Sequence, residues 1–454
     1  MNIWHKAYER VLTRKHAKLL GLVEMKINRL WLSALIVLLF FVLLFQALFA
    51  LVPYLVIFLV ANFFFIYVAV VYLLTYWEKK PEPLSDRFPS LSIIISAYNS
   101  GRTLEKCLQS IVALDYPSKV QVLVVDDAST DNTAAIAKKF PVELIHNPHN
   151  LGKATSINRA LERAKGELVA CIDSDTYPEK DSLTKLVPLF NAPDVGAVTA
   201  LICVEKPKSF VQKIQEIEYY ASFGFWHTAL SQLDGLLVTP GPMSIYSKKA
   251  LQDVGGFDAT NITEDMEVAL HLQEKGWKIK LNTDAKVYTD VPNNWKALFR
   301  QRLRWLRGKI FNGFKYGHMI FNSKYGNFGR FVYPVSFIIE LLGVLVVSRV
   351  LWMHLSNFLN MAGGLGGVMA ADSSLLFNPG IYSNAMINSS AFFFFFTIIV
   401  WSYIVWVSFG IAKEKPRLSQ IPPLIIFMTI YSSFISFVYF TSMVNEAIGS
   451  KRNW

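Results

Sequence analysis

Long apolar runs occupy both ends of the chain, whereas short apolar and polar stretches alternate in its middle. Residues 30–77 are almost free of charge, and three further apolar runs lie near 331–355, 389–412 and 421–446. A helix that crosses a bilayer needs about 20 such residues. The pattern therefore predicts two membrane helices before the middle region, with a break near Pro53, and three membrane helices after it.

The middle region has the pattern of an α/β domain. Short continuous apolar runs are typical of strands in a buried, mostly parallel sheet, and they alternate here with helical stretches. Ligands bind at the carboxyl ends of the strands in such sheets, and polar clusters follow three of the predicted strands. The predicted strands are 91–95, 120–125, 142–145 and 168–172, and predicted helices include 103–113, one that begins near Thr130, and 266–275.

Composition supports this division into membrane helices and one globular region. Hydrophobic residues make up 53% of the chain and charged residues 17%, below the roughly 25% of soluble domains. The 34 Phe, 19 Tyr and 11 Trp exclude a disordered chain. Three scattered cysteines without a CxxC pair predict neither a zinc site nor a disulfide framework. A net charge of +11 is compatible with nucleic-acid binding, but in a membrane protein it marks the cytoplasmic side, so no nucleic-acid partner is predicted.

Basic residues also predict the orientation in the membrane. The segment 1–29 is basic with scattered apolar residues and is predicted to lie on anionic lipid as a helix, with a flexible basic tail as the alternative. Loop 356–388 has no Lys or Arg, whereas the short loop 413–417 is basic. The positive-inside rule then predicts a multi-pass plasma-membrane protein with its N-terminus and middle domain inside and its C-terminus outside. Lys451 and Arg452 fit the last assignment less well.

Two acidic motifs offer candidate chemistry. Asp173-Ser174-Asp175 follows the strand 168–172, and carboxylates two residues apart at a strand end can face the same side. Oxygen ligands without His or Cys suit Mg²⁺ or Mn²⁺ held jointly with a substrate diphosphate, although a lone DxD also occurs in surface turns. Thr263-Glu264-Asp265 begins a predicted helix, where a carboxylate is either a favourable N-terminal residue or a positioned general base.

The stretch 295–311 has the apolar spacing of an amphipathic helix at a membrane surface. Gln301, Arg304 and Trp305 are three or four residues apart and share a second face of that helix. Arg and Gln can donate to phosphate oxygens, and Trp offers a flat platform for a sugar ring. Arg302, at the edge of the apolar stripe, is expected to extend its charge to water. A basic interfacial helix with an aromatic anchor is the alternative interpretation.

These motifs together resemble those of a known family. Asp127, Asp173-Ser174-Asp175, Thr263-Glu264-Asp265 and Gln301-Arg302-Leu303-Arg304-Trp305 occur in the order and at roughly the spacing of processive family 2 glycosyltransferases. The sequence resembles cellulose, chitin and hyaluronan synthases, and it is most similar to bacterial poly-N-acetylglucosamine synthases. The resemblance implies an α/β GT-A-type nucleotide-sugar domain inserted between transmembrane helices. The implied divisions are 1–29 basic segment, 30–77 membrane helices, 78–294 GT-A domain, 295–325 interface helices and 326–454 membrane helices.

The resemblance also implies a role for each motif. Asp265 would be the catalytic base, with Glu264 beside it, and Asp173 and Asp175 would hold the metal. The residues implied at the nucleotide are Tyr98, Asn99, Asp127, Lys153 and Asp173. The residues implied at the diphosphate and acceptor are Gln301, Arg304, Trp305, Pro240 and Gly241. The Val-Thr-Pro-Gly-Pro sequence around Gly241 differs from the Phe-Cys-Gly form of cellulose synthases, which counts against that branch.

The implied function is an inverting, Mg²⁺- or Mn²⁺-dependent polymerase that transfers sugar from a UDP-sugar, UDP-N-acetylglucosamine first, to a β-linked polysaccharide and exports it. Single displacement needs no second carboxylate nucleophile, unlike the retaining glycosidases. The implied partners are the UDP-sugar, a growing polysaccharide or glycolipid acceptor and the bilayer, and a small membrane or outer-envelope subunit is left open. The alternatives are non-processive transfer to a lipid carrier, a hyaluronan- or glucan-type synthase, and a transporter with a nucleotide-binding domain. The absence of a P-loop sequence counts against the last.

Glu340 lies inside the apolar run 331–355. Ionisable groups at membrane depth are costly and usually face a bundle interior or a wet pathway. Glu340 is therefore predicted to line the channel of the exported polymer, with a structural pair to another span as the alternative.

Overall fold

The computed structural model describes residues 87–345 and 389–450, together with residues 67, 70, 72 and 348. The predicted basic segment 1–29, most of the helix pair 30–77 and the loop 356–388 lie outside the described residues.

One mixed sheet forms the centre of the globular region, with strands in the order β3-β2-β1-β4-β7-β6-β8-β5. Strands β1 to β4 pair in parallel, as predicted. Beyond β4 the sheet is mixed, because β7 runs antiparallel to β4 and β6, and β5 antiparallel to β8. An apolar run does not reveal the direction of its strand. The strands are β1 Leu91–Ala97, β2 Val120–Asp126, β3 Glu143–His146, β4 Leu168–Asp173, β5 Thr176–Pro178, β6 Val195–Val204, β7 Met243–Ser247 and β8 Lys278–Thr289.

Helices cover both faces of the sheet. In β1, Ile93 and Ile95 belong to one buried cluster and Ile94 to another on the opposite face. Burial on both sides explains why this strand is apolar throughout. The helices of this region are α1 Leu104–Val112, α2 Thr133–Ala137, α3 Lys153–Leu161, α4 Ser182–Leu186, α5 Phe210–Tyr219, α6 His227–Gln232, α7 Lys248–Asp253, α8 Glu264–Glu274 and α9 Trp295–Lys315.

Apolar helices follow α9. Among the described residues, Phe328–Leu345 and Leu418–Ala447 are long and apolar enough to cross a membrane, with mean hydropathies of 1.6 and 1.8. The second run comprises α11 Ile421–Ile426, a π-helical turn Phe427–Tyr431 and α12 Ser432–Ala447. Between them lies α10 Ser389–Ile411, whose apolar part is the shorter Ile398–Ile411. Helices therefore occur where the apolar runs predicted them, and insertion into a membrane stays a prediction.

Helix α9 is held by buried charges rather than by its apolar stripe alone. Asn294 caps it by accepting a hydrogen bond from the backbone N–H of Ala297. Arg302 is 3% exposed and donates to Glu218 of α5, with Nη2 2.6 Å from Oε2. The expectation that Arg302 extends its charge to water is therefore wrong, because a carboxylate of the neighbouring helix neutralises it inside the protein.

Candidate active site

A pocket opens beside the carboxyl ends of β1 and β4. Asp173 ends β4, Lys153 begins α3, and the acidic pair Glu264 and Asp265 begins α8. The loop before β7 supplies the opposite wall. Of the predicted site residues, the pocket brings together Lys153, Asp173, Pro240, Gly241, Glu264 and Asp265.

Lys153 joins the two acidic motifs. Its Nζ lies 2.6 Å from Oδ1 of Asp173 and 2.8 Å from Oε1 of Glu264. Burial disfavours the ammonium, but Asp173, Glu264 and Asp265 outweigh that effect and hold the pKa of Lys153 well above its usual value. The second oxygen of Glu264 is buried without a hydrogen-bond partner among the described groups. The pocket therefore contains a fixed cation and unused acceptor capacity.

Asp265 is a carboxylate whose proton affinity is raised. Burial, and then repulsion from Glu264, raises its pKa to about 6, against the opposing effects of Lys153 and Arg304. A group with such a pKa is mostly ionised at neutral pH yet accepts a proton readily. This is the property of a general base. The effect of Arg304 also shows that the motif on α9 lies within electrostatic range of α8.

Two buried hydroxyls fix the backbone at Asp265. Thr239 donates from both its N–H and its Oγ1 to the carbonyl oxygen of Asp265, at 3.2 and 2.8 Å. Tyr246 in turn donates from Oη to Thr239 Oγ1 at 2.9 Å. The sequence motifs did not single out either residue. The only signal is a Tyr in the otherwise small and apolar strand β7, which is weak because buried tyrosines are common.

Gly241 allows the chain to approach the ion pair. A Cβ at this position would lie 2.7 Å from Oδ2 of Asp173 and 2.8 Å from Nζ of Lys153. Any larger residue would therefore displace the salt bridge or fill the pocket. This contact gives a physical reason for the Pro-Gly sequence predicted at the site.

The buried carboxylate of Asp127 forms hydrogen bonds within the protein. It is 2% exposed, and its Oδ1 accepts from the N–H of Leu151 and from Asn147, at 2.8 and 2.7 Å. Its Oδ2 accepts from the N–H of Gly152 at 2.9 Å. Asp127 thereby fixes the loop that presents Lys153. Its predicted contact with a nucleotide stays a prediction.

Tyr98 and Asn99 lie on the loop after β1. Tyr98 is 51% exposed, as a residue that stacks on an incoming base would be. Asn99 has a φ of 49° and accepts from the N–H of Thr130 through Oδ1 at 2.9 Å. The two loops after β1 and β2 are thus tied together at the edge where a nucleotide is predicted.

Asp175 lies in the turn between β4 and β5, close to Asp173 and Asp290. Burial, and then repulsion from Asp173 and Asp290, raises its pKa to about 7, with Lys153 opposing. Among the described residues no three His, Cys, Asp or Glu side chains surround a common point. The donors present are nevertheless all oxygen and carry excess negative charge. Asp173 and Asp175 therefore fit a divalent cation whose remaining ligands come from phosphate or water.

The motif on α9 lies against the loop that leads into α8. Arg304 donates from Nη1 to the carbonyl oxygen of Ile262 at 3.0 Å. Trp305 packs partly buried against the core, and the Arg302 guanidinium carbon lies 4.2 Å from the centre of its ring. Gln301 accepts from Arg302 through Oε1. The structure thus places this predicted motif beside the acidic pair on α8.

Glu340 lies away from the pocket, in the Phe328–Leu345 helix. Its Oε1 accepts from Nζ of Lys309 in α9 at 2.6 Å, and Tyr439 of α12 also hydrogen-bonds to this carboxylate. The ion-pair partner of Glu340 therefore lies on α9, and a hydroxyl partner lies on another apolar run. The predicted role in a channel stays a prediction.

Part of the globular region is similar to known proteins. Residues 92–255 match the model for "Glycosyl transferase family 2". The poly-beta-1,6-N-acetyl-D-glucosamine synthase of Staphylococcus aureus (strain COL) is 30% identical over 236 residues, which cover 51% of this chain and 57% of that protein. The corresponding synthase of Staphylococcus epidermidis is 32% identical over 223 residues, 48% of this chain and 54% of its own. The match spans little more than half the length of these curated relatives.

Among solved structures, a mannosyltransferase from Pyrobaculum calidifontis in complex with GDP-Man and Mn²⁺ is 21% identical. The match has a TM-score of 0.49 and covers 79% of this chain and 99% of that one. Residues 92–255, which contain most of the mixed sheet, are thus similar to family 2 glycosyl transferases, and about half of the chain resembles poly-beta-1,6-N-acetyl-D-glucosamine synthases.

Proposed function

We propose that the chain is a membrane-embedded, inverting, processive glycosyltransferase. It transfers sugar from a UDP-sugar to the end of a growing β-linked polysaccharide and exports the product. UDP-N-acetylglucosamine is the first candidate donor, because both relatives above are named as synthases of a poly-N-acetylglucosamine. Export of the product is tested separately below, through substitutions of Glu340.

One observation carries the proposal: Asp265, a partly buried carboxylate with a raised pKa, lines a pocket that also holds Lys153 and Asp173, while Arg304 contacts the loop just before it. A base and a fixed cation thus line one cavity, and a second cation lies beside it. Transfer of a sugar from a nucleotide diphosphate needs these same elements. The base accepts the acceptor's proton, and the cations stabilise the charge that develops on the leaving diphosphate.

The proposed chemistry follows from these positions. Asp265 accepts the proton of the acceptor hydroxyl as its oxygen forms a bond to the anomeric carbon and the bond to UDP breaks. Lys153 and Arg304 stabilise the leaving diphosphate. Asp173 and Asp175 would hold Mg²⁺ or Mn²⁺, which would add Lewis-acid stabilisation to the same oxygens. One displacement inverts the anomeric centre, so an α-linked donor gives a β-linked product.

Incubation of the protein in nanodiscs with each radiolabelled UDP-sugar, with Mg²⁺, with Mn²⁺ and with excess EDTA, tests the proposal. We expect polymer from one UDP-sugar, digestible by a β-specific glycosidase, and no product in EDTA. The matched control is Asp265→Asn, which should bind UDP without making product.

The outcomes separate the alternatives. A labelled lipid on thin-layer analysis, without polymer, would replace polymerisation by single transfer to a lipid carrier. No turnover of any UDP-sugar by folded protein that binds UDP would favour a regulatory nucleotide-binding domain. Full activity in EDTA would remove the metal from the proposal while leaving the base in place.

A further inference from the structure

The last apolar helix, α12, packs along the length of α9. The ring of Trp295 lies 5.3 Å from that of Phe434, and the ring of Phe299 lies 6.2 Å from that of Phe437. Farther along, Nε of Arg307 lies 2.7 Å from Oε1 of Glu446. The partners keep an almost constant difference in residue number over about 18 Å of each helix. The two helices therefore lie side by side and point the same way.

The beginning of the apolar run Leu418–Ala447 contacts the globular region. Lys413 forms an ion pair at 2.8 Å with Asp284, which lies in β8. Gln420 donates from Nε2 to Glu216 of α5 at 2.6 Å, and Arg417 donates to the other oxygen of Glu216. Glu216 is 3% exposed, so these contacts are buried. The run starts on the glycosyl transferase domain rather than at a distance from it.

The far end of the run is attached there as well. Arg307 donates from Nη2 to the carbonyl oxygen of Ser450 at 2.7 Å, in addition to its bond with Glu446. Arg307 is less than one turn from Arg304, which contacts Ile262 beside the acidic pair of the pocket. Residue 450 therefore lies near the candidate active site.

A helix that crossed a bilayer would place its two ends about 30 Å apart along the membrane normal, on opposite sides. Here the helix contacts the domain at its start and its end, and also in the middle, where Tyr431 donates to Oε2 of Glu218 at 2.8 Å. We propose that Leu418–Ala447 does not cross the membrane. It lies in the plane of the interface, with its apolar face in the leaflet nearest to the glycosyl transferase domain.

The face turned away from the protein has the chemistry that such a leaflet requires. The apolar side chains that are exposed on this run recur from one end to the other: Leu418, Ile421, Ile425, Ile430, Phe440, Met443 and Val444. Lys415 precedes the run, and Lys451 and Arg452 follow it. Apolar side chains insert into the acyl region while flanking basic residues meet anionic headgroups. The occupant of this face is therefore the bilayer surface.

The proposed arrangement differs from the expected topology at its C-terminal end. With residue 450 on the side of the glycosyl transferase domain, the basic pair Lys451 and Arg452 agrees with the positive-inside rule instead of opposing it. The inference rests on the proposed function only in taking the chain as membrane-embedded. Its test does not depend on activity.

Single cysteines report the side of the membrane. The native residues Cys107, Cys171 and Cys203 are buried, so their background labelling is low. Ile448→Cys is compared with Val112→Cys, which is exposed on α1 of the domain, and with Ser374→Cys in the loop predicted on the opposite side. We expect a membrane-impermeant maleimide to label residues 448 and 112 only after the cells are opened. Labelling of residue 448 in intact cells, at the level of residue 374, would overturn the proposal.

Depth measurements test the flat orientation independently. A fluorophore attached to Ile421→Cys, Ile430→Cys or Val444→Cys is quenched by lipids brominated near the headgroup or near the chain end. A helix in the plane gives the same shallow quenching at all three positions. A helix that crosses the bilayer gives deep quenching at residue 430 and shallow quenching at residues 421 and 444, and that gradient would also overturn the proposal. Both experiments give an answer even if the protein transfers no sugar.

Discussion

Single residues in the pocket show how far sequence motifs determine chemistry. The side chains of Asp173, Glu264, Asp265 and Lys153 lie together, because they end a strand or begin helices at one edge of the sheet. Asp127 could not be assigned in the same way. Its oxygens accept from the backbone of a loop more than 20 residues later, and the order of residues does not show such contacts. A motif predicts that a carboxylate is present, but it does not show which groups donate hydrogen bonds to the carboxylate oxygens.

The roles within the acidic pair lead to a first prediction. Asp265→Asn should lower the rate of sugar transfer by about 10²–10⁴-fold, because an amide of the same shape cannot accept the proton. The affinity for UDP, measured by calorimetry, should change little. Asp115→Asn, at an exposed ion pair with Lys180, is the matched control and should leave both unchanged. Loss of UDP binding in folded Asp265→Asn would assign that carboxylate to the nucleotide instead.

The pKa of Asp265 gives a second prediction. Because the base must be ionised, its raised pKa of about 6 means that kcat/KM should decline as the pH falls through that value. An ordinary Asp, with a pKa near 3.9, would stay active to much lower pH. A profile of kcat/KM between about pH 5 and pH 8, which reports the pKa of the free enzyme, checks this. A flat acid limb down to pH 5 would contradict the assignment.

Element packing depends on a second stripe of α9 that the sequence did not reveal. Arg304, Gly308 and Asn312 are four residues apart and face the segment Asn261–Thr263 that leads into α8. A Cβ on Gly308 would lie 2.2 Å from Oγ1 of Thr263. The apolar period predicted α9 correctly, whereas this stripe consists of a cation, a glycine and an amide. In the sequence alone, such residues are typical of a solvent-exposed helix face, and only the structure shows the segment that packs on them.

Asn312 gives a prediction at this scale. It is fully buried, accepts from Nδ2 of Asn261 at 2.7 Å and donates to Oγ1 of Thr263 at 3.1 Å. Asn312→Ala should leave those groups unpaired and loosen the start of α8. Displacement of a catalytic group by about 1 Å can cost about 10²-fold, so we expect kcat to fall by 10- to 100-fold with the donor KM nearly unchanged.

Tyr333→Phe is the control for general loosening of α9. Tyr333 donates to the carbonyl oxygen of Asn312, which also accepts from the N–H of Tyr316, so its loss leaves the contacts of the Asn312 amide intact. Hydrogen exchange should accelerate at residues 261–266 in Asn312→Ala and not in Tyr333→Phe. Equal effects of the two substitutions on kcat would show that Asn312 has no particular part in positioning Asp265.

At the scale of the whole molecule, ion pairs connect the globular region to the described apolar helices. Arg417 pairs with Glu216, Arg307 with Glu446 and Lys309 with Glu340. Removing one partner of a buried pair typically costs about 3–5 kcal/mol, because the other charge is left uncompensated. Charges at the ends of apolar runs were used above to predict orientation. One of them, Arg417, instead pairs with the buried carboxylate of Glu216, a long-range contact that the sequence alone does not show.

Substitutions of Glu340 test whether these ion pairs also contribute to export of the polymer. Its Oε1 is paired with Lys309, and Tyr439 of α12 hydrogen-bonds to the same carboxylate. A carboxylate has further lone pairs, which would suit the hydroxyl groups of a passing sugar chain. Glu340→Leu should therefore shorten the polymer, measured by gel filtration of labelled product, while UDP release per protein changes less than about twofold.

The matched variant is Lys309→Met, which removes the cation and leaves the carboxylate. If Glu340 acts only as the partner of Lys309, the two substitutions should be equivalent, lowering polymer length and UDP release together with the melting temperature. If it lines the path of the polymer, Glu340→Leu should reduce chain length at a normal rate of UDP release. Lys309→Met should instead reduce UDP release and thermal stability, because it leaves an unpaired buried carboxylate beside α9. The ratio of chain length to UDP released therefore separates a path for the polymer from a structural joint, and equal ratios in the two variants would exclude the path.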